Sequence, residues 1–272
     1  MIVSRTSYAA VLPGLIAGVL ALPAAGWAAS SGGGGLGWSS SGGSQSAGGS
    51  QNAGGSQNAG GPQWNPAVQP GNVTVIASGG GMTIQTRASA LLSNQLHFSG
   101  SVPAGDAGDV VLIERMGRQT GWNWAVTTRS RVASDGSFSA TWTTNHIGRF
   151  AIRAVVANGA IARTGAADTS PTVKITVYRP SEATQYGPGF YGRHTACGQV
   201  LRRATLGVAH RTLPCGTRVA IYYAGRTLVV PVIDRGPYTN HADWDLTMAT
   251  GRALGIPGTA TIGAVSLPVQ PH

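Results

Sequence analysis

The sequence predicts an all-β protein with two folded units, a β-sandwich followed by a small β-barrel. Three observations lead there. Only 10% of the 272 residues are charged, which excludes a coiled coil or a charge-laced helical protein, since both need many Glu and Lys residues. The 41 Gly and 15 Pro punctuate short apolar runs, while the 42% hydrophobic content is enough for a core. Only Leu246–Leu254 reads as a helix of any length. At ~150 residues per domain, the length allows about two domains.

The first residues stand apart from both units. Arg5 supplies a basic start, Tyr8–Leu22 an apolar run, and Ala24, Gly26, Ala28 and Ala29 a small-residue stretch. This is the layout of a secretory signal peptide over residues 1–28. The apolar run is shorter than the roughly 20 residues a membrane span needs, so no stable membrane insertion is expected after cleavage. Residues 29–70 read as a Gly/Ser-rich disordered linker. Ser30–Gly61 contains 13 Gly and 9 Ser, with GGSQSA, GGSQNA and GGSQNA repeating in register. Such a repeat has no apolar face to stack, and a flexible chain of this length reaches roughly 30 Å.

The sandwich is expected over residues 71–179. Its strand candidates are Val73–Ala77, Met82–Thr86, Gln95–Ser99, Val110–Glu114, Trp124–Arg129, Ser137–Trp142, Phe150–Val156 and Val173–Tyr178, with a turn at Asp135-Gly136. Phe150, Ile152 and Ala154 alternate with Ala151, Arg153 and Val155, the period-two pattern of a strand with one wetter face. Trp122, Trp124 and Trp142 are core residues on one reading and a sugar-stacking platform on the other. Ten basic residues against five acids favour an anionic polymer as partner over a neutral one.

Arg179-Pro180-Ser181 marks the boundary to a barrel over residues 182–268. Strand candidates there are Ala183–Tyr186, Gly207–Ala209, Arg218–Tyr223, Arg226–Ile233 and Thr261–Val265. The helix is expected to be capped by Asp245 and stopped by Gly255.

This unit holds four acids, so each is informative. Glu182 reads as solvated. Asp234 follows the apolar run Leu228–Ile233 and precedes Arg235-Gly236-Pro237. Partial desolvation there raises a carboxyl pKa and a neighbouring arginine lowers it. An acid kept neutral in this way can protonate a glycosidic oxygen. The competing reading is a structural Asp accepting turn amides. His210, in VAHRTLPCG, is either structural or catalytic. Asp243 and Asp245 share a face if the chain between them is extended. His194 and His241 lie near turns where they could line a cleft, but no HxH or HExxH spacing supports a metal, and no cofactor is expected. Cys197 and Cys215 would close a loop of about 18 residues as a disulfide, worth ~3 kcal/mol. A nucleophilic Cys paired with His210 is the alternative, but it leaves the second thiol idle in an oxidising compartment.

Four motifs in order, YGPGFYGRHTACGQVL, GVAHRTLPCGTRVAI, LVVPVIDRGPY and ADWDLTMATGRALGI, resemble the RlpA-like family, whose fold is a six-stranded double-psi β-barrel also found in expansins and barwin-like proteins. Upstream, SDGSFSATWTTNHIGRFAIRAVV resembles bacterial immunoglobulin-like modules, which makes the sandwich an immunoglobulin-like one and implies a spacer or binding surface. The RlpA resemblance implies a lytic transglycosylase cutting between N-acetylmuramic acid and N-acetylglucosamine in peptidoglycan to leave 1,6-anhydro ends. The family's catalytic histidine falls on His210 in AHRTLP and its catalytic aspartate on Asp234 in IDRGP. Its further aspartate falls on Asp245 in WDLT, as a cleft support. Asp234 would act first as general acid and then as base for the sugar 6-hydroxyl, with His210 orienting a sugar. Tyr186, His194, Arg235, Tyr238 and Trp244 complete the expected cleft.

Where many members have Asn before the aspartate, this chain has Ile233. Cys197 and Cys215 resemble the disulfide-bearing subset of Gram-positive bacteria. With no lipobox cysteine and no repeat module after the barrel, the expectation is a secreted or cell-wall-associated monomer acting on peptidoglycan glycan strands. The alternative is an expansin-like module that binds and loosens wall polysaccharide without cutting, using Tyr186, Phe190, Tyr191, Tyr238 and Trp244 as a groove. Nucleic acid is a poor partner, because the arginines are scattered and the chain is expected to be exported.

Overall fold

A computed structural model describes residues 66–158, 161–162, 168–238 and 241–267. The expected signal peptide, and the expected linker up to residue 65, lie outside the described residues. Sixteen strands and one α-helix follow in order: β1 (Gln69–Pro70), β2 (Thr74–Gly79), β3 (Met82–Arg87), β4 (Ser89–Leu91), β5 (Gln95–Ser101), β6 (Val110–Met116), β7 (Ala125–Arg131), β8 (Ser137–Thr143), β9 (Gly148–Asn158), β10 (Ile161–Ala162), β11 (Val173–Tyr186), β12 (Val208–Ala209), β13 (Arg218–Tyr223), β14 (Arg226–Asp234), β15 (Trp244–Thr247), α1 (Met248–Leu254) and β16 (Ala260–Ser266).

The first half is a two-sheet sandwich. One sheet runs β2-β3-β5-β8, and the other places β4, β11, β9, β6 and β7 side by side, with β10 folding back on β9. Alternation explains the core. On β3, Met82, Ile84 and Thr86 point inward, and on β8 Phe138, Ala140 and Trp142 do so. Opposite them lie Val111 and Ile113 of β6, Phe150, Ile152, Ala154 and Val156 of β9, and Val173, Ile175 and Val177 of β11. The Asp135-Gly136 turn forms as expected, with Gly136 at φ 79° and Asp135 accepting the Ser137 amide at 2.9 Å. Of the three tryptophans, only Trp142 belongs to the core. Trp124 lies under the Arg153 guanidinium, 4.1 Å from its carbon, and Trp122 is 62% exposed.

The second half is a closed barrel of six strands. Going round it, β11 pairs with β15, β15 with β12, β12 with β14, β14 with β13, β13 with β16, and β16 with β11 again. Closure leaves no free edge. Inward-pointing Ala183, Val208, Val219, Ile221, Leu228, Val230, Val232, Leu246 and Ile262 fill the interior.

Strand β11 belongs to both halves. Its first residues pair with β9 and β4, and from Arg179 onward it pairs with β16 and then β15. The expected boundary at Arg179-Pro180-Ser181 is therefore a point on one unbroken strand. Where β11 changes sheets, Tyr178 stacks on Tyr222 (5.5 Å between ring centroids) and packs with Leu91, Ala220, Val229, Val265 and Leu267. At the chain's near end, β1 pairs with β14, and the Gly71 amide donates to the Gly225 carbonyl.

The helix begins two residues later than expected. Thr247, not Asp245, caps it by accepting the Thr250 amide, and Gly255 ends it in the left-handed conformation at φ 77°. Asp245 instead lies on β15, extended and paired on both sides.

Candidate functional site

The site sits where β14, β12, β15 and β11 lie side by side. Between Val208 and Ala209 the β12–β14 register shifts: Val208 stands opposite Val232 and Ala209 opposite Asp234, so Ile233 is an extra residue. A bulge of this kind re-aims the next side chain. Ile233 turns into the protein, where it is buried, and Asp234 leaves the strand end half-buried. The Asp234 Oδ1 accepts two backbone amides, from Ala196 at 2.9 Å and from Arg235 at 2.8 Å. Two fixed N–H dipoles solvate the negative charge of this carboxylate.

Asp245 lies one strand beyond, since Ala209 pairs with both Asp234 and Asp245. With strands spaced ~4.8 Å apart, the two α-carbons are about 10 Å apart. The Asp245 Oδ1 accepts the Thr184 hydroxyl at 2.8 Å, across the β11–β15 pairing. Burial pushes its carboxyl above the ordinary aspartate range. The Thr184 hydrogen bond opposes that rise and the Asp234 charge adds to it.

Tyr186 ends β11, two residues past Thr184. Its hydroxyl is buried and meets no partner at hydrogen-bond geometry. Burial first, then the charges of Asp234 and Asp245, hold it far above the ordinary tyrosine range, so it stays protonated at any physiological pH. Its ring meets Phe190 edge-on at 6.3 Å.

His210 follows β12, and its amide donates to the Asp234 carbonyl at 3.2 Å. Its Nδ1 accepts the amides of Thr212 at 3.1 Å and Leu213 at 3.0 Å. A nitrogen that accepts two N–H groups carries no proton, so the proton of the neutral ring is on Nε2. Burial foremost, with Arg211 and Arg235 adding and Asp243 opposing, lowers its pKa below the usual histidine value. The ring rests on Trp244, 4.6 Å between centroids. His210 is thus a fixed neutral imidazole whose free group is a donor.

Cys197 and Cys215 form a disulfide, with their α-carbons 5.7 Å apart. This answers the alternative of a free nucleophilic cysteine. The bond lies against the site: Cys197 follows Ala196, whose amide holds Asp234, and Arg235 Nη2 donates to Cys215 Sγ at 3.2 Å. Arg235 Nη1 reaches the His210 and Asp234 carbonyls at 3.5 and 3.3 Å.

The structure brings Asp234, His210, Asp245, Tyr186 and Arg235 together. Trp244 is only 7% exposed and supports His210 from below. Tyr238 is 76% exposed beyond the Gly236-Pro237 turn, and His194 and Phe190 are exposed on the β11–β12 connection. Asp243 accepts the Glu182 amide at 3.3 Å and stands apart from the carboxylate pair. Sequence reasoning missed Thr184 and the Ala196 amide. A threonine two residues before a motif tyrosine carries no signal of its own, and a backbone donor carries none at all. No three His, Cys, Asp or Glu residues among those described could hold a metal together, and no described helix is long and apolar enough to cross a membrane.

A closed six-stranded barrel with paired carboxylates at its strand ends is consistent with the double-psi class. Residues 182–267 match the family model described as lytic transglycolase, and the closed barrel they form is similar to the RlpA-like double-psi barrels. Among curated relatives, the probable endolytic peptidoglycan transglycosylase RlpA of Synechocystis sp. is 40% identical over 111 residues, covering 40% of this chain and 34% of that protein. The endolytic peptidoglycan transglycosylase RlpA of Campylobacter jejuni is 35% identical over 81 residues, covering 29% of this chain and 30% of the other. The chain thus spans about a third of the length of these two relatives. Among solved structures, Streptomyces papain inhibitor aligns at 27% identity and a TM-score of 0.29, covering 33% of this chain and 93% of its own.

Proposed function

We propose that the protein is an exported lytic transglycosylase that cuts the bond between N-acetylmuramic acid and N-acetylglucosamine in peptidoglycan and leaves 1,6-anhydro ends. The observation that carries this reading is Asp234. It is a half-buried carboxylate that follows a bulge and lies beside Asp245, Tyr186 and His210, in a domain that matches the lytic transglycolase model. The names of the RlpA relatives supply the substrate class.

The reaction needs one proton delivered to the leaving oxygen and one removed from the 6-hydroxyl that attacks in place of water. Asp234 is at the centre of that acid–base chemistry. His210, with Nδ1 bound to the turn, presents Nε2–H as a hydrogen-bond donor to the sugar. Export and an extracytoplasmic location agree with the Cys197–Cys215 bond, and the sandwich serves as an immunoglobulin-like spacer.

The test is digestion of purified peptidoglycan, with and without its stem peptides, by the protein and by Asp234→Ala. Mass spectrometry should show anhydro-ended fragments that fall by about 10²–10⁴-fold in the variant. Fragments with free reducing ends would make the protein a hydrolase. If nothing is released while the protein still pellets with the polymer, the enzyme reading fails and an expansin-like binding module is left.

A further inference from the structure

The two proton transfers need not fall to one carboxylate, and the hydrogen bonds of the site treat its two aspartates differently. Asp234 receives two backbone amides on one oxygen, whereas the hydrogen bond to Asp245 comes from a single threonine hydroxyl. Near them lies the buried Tyr186 hydroxyl, which has no hydrogen-bond partner and on which Asp234 acts more strongly than Asp245. A buried donor left without a partner is destabilising, so its persistence beside two carboxylates points to a use.

We propose that Tyr186 is the positioning residue that makes the carboxylates unequal: its hydroxyl turns to Asp234, which keeps the negative charge, and the proton of the pair resides on Asp245. This rests on the transglycosylase reading and divides its labour. Asp245 gives its proton to the leaving oxygen as that oxygen's bond to the sugar's C1 breaks. The 6-hydroxyl oxygen bonds to C1, and Asp234 takes the 6-hydroxyl proton. The cycle closes when Asp234 gives that proton up to solvent and Asp245 takes one from it, so no proton is gained or lost.

The direction of the Asp245 pKa agrees with this division. The other charged groups around the pair do not reverse it. Arg235 follows Asp234 on β14 and donates its amide to that same carboxylate. His210, beyond β12, is neutral, and Asp243 is turned to the Glu182 amide.

The decisive measurement needs no substrate. Carbon-13 NMR of the aspartate carboxyls in the full chain, assigned with Asp234→Asn and Asp245→Asn, should show Asp245 titrating at higher pH than Asp234. Tyr186→Phe should bring the two midpoints together. Asp234 titrating above Asp245, or midpoints unmoved by Tyr186→Phe, would overturn the assignment. A second arm uses the leaving group. On a muramyl oligosaccharide carrying 4-methylumbelliferone, a leaving group that needs no acid, Asp245→Asn should keep most of its activity, while losing about 10²–10⁴-fold on glycan. Asp234→Asn should lose both. Equal losses by Asp245→Asn on the two substrates would also overturn it. If the unmodified protein makes no anhydro product, the transglycosylase reading fails, and the titration still decides where the proton resides.

Discussion

Gly207 and Ile233 are matched in shape: a Cβ on Gly207 would come within 2.5 Å of the Ile233 Cδ1. The bulge that precedes Asp234 depends on this match, because the bulged residue's side chain fills the space a larger residue at 207 would need. Gly207→Ala should destabilise the protein by about 1–3 kcal/mol through overpacking, measured as a shift of the urea midpoint at constant slope. Activity should fall further than the lost stability accounts for, since Ile233 adjoins Asp234.

The disulfide ties the loop carrying the Ala196 amide to the loop after His210. The double variant Cys197→Ser, Cys215→Ser should lose about 3 kcal/mol by denaturant titration, from the loop it no longer closes. It should also lose activity under conditions where it stays folded. Retained full activity would show that the Ala196 amide holds Asp234 without help from the bond.

His210 gives stability a pH dependence with a defined sign. Its pKa in the folded protein lies below the ordinary histidine value, so its contribution is present above that ordinary value and is lost as pH falls through the lowered one. Unfolding free energies measured between pH 8 and pH 5 should decline on the acid side, and His210→Gln should flatten that decline.

Asp245 works in the opposite direction. Its raised pKa means that its share of stability is present below the ordinary aspartate range and is lost as pH rises through the raised value. Asp245→Asn should therefore be more stable than the parent at neutral pH and should lose the advantage in acid, as thermal melts at pH 7 and pH 3 would show.

At the seam between sandwich and barrel, Gly263 faces Tyr178 and Leu91, and a Cβ there would lie 2.8 Å from the Tyr178 Cβ. Gly263→Val should cost at least about 1–3 kcal/mol and loosen both halves together, because β11 runs through both. A single cooperative transition in the parent, with sandwich and barrel signals coinciding, is the expected observation.

Much of this architecture was legible in the chain. Strand β13 begins and ends where its apolar run does, and β3, β5, β6 and β8 each fall within two residues of expectation, because period-two alternation is written into the sequence. Gly255 was readable as a helix stop because few other residues adopt its conformation. What escaped is informative. Ser89–Leu91 and Gln69–Pro70 are too short to show a period, and they are strands only because β11 and β14 offer them an edge. WDLT looked like the entry to a helix, since an aspartate before an apolar stretch is a capping signal. Pairing on both sides with β11 and β12 overrode that local preference and put Asp245 in the site instead of at the cap.

The sequence by itself determined the all-β class, the place of the barrel, the candidate pair Asp234 and His210, and which cysteines could join. These follow from local pattern, from spacing and from motif order. Only the tertiary structure decided that one strand serves both halves, that Thr184 and the Ala196 amide hold the two aspartates, and which histidine nitrogen keeps its proton. Each of those depends on backbone amides and strand neighbours that are far apart in the chain, and barrel closure brings them within hydrogen-bonding and electrostatic reach.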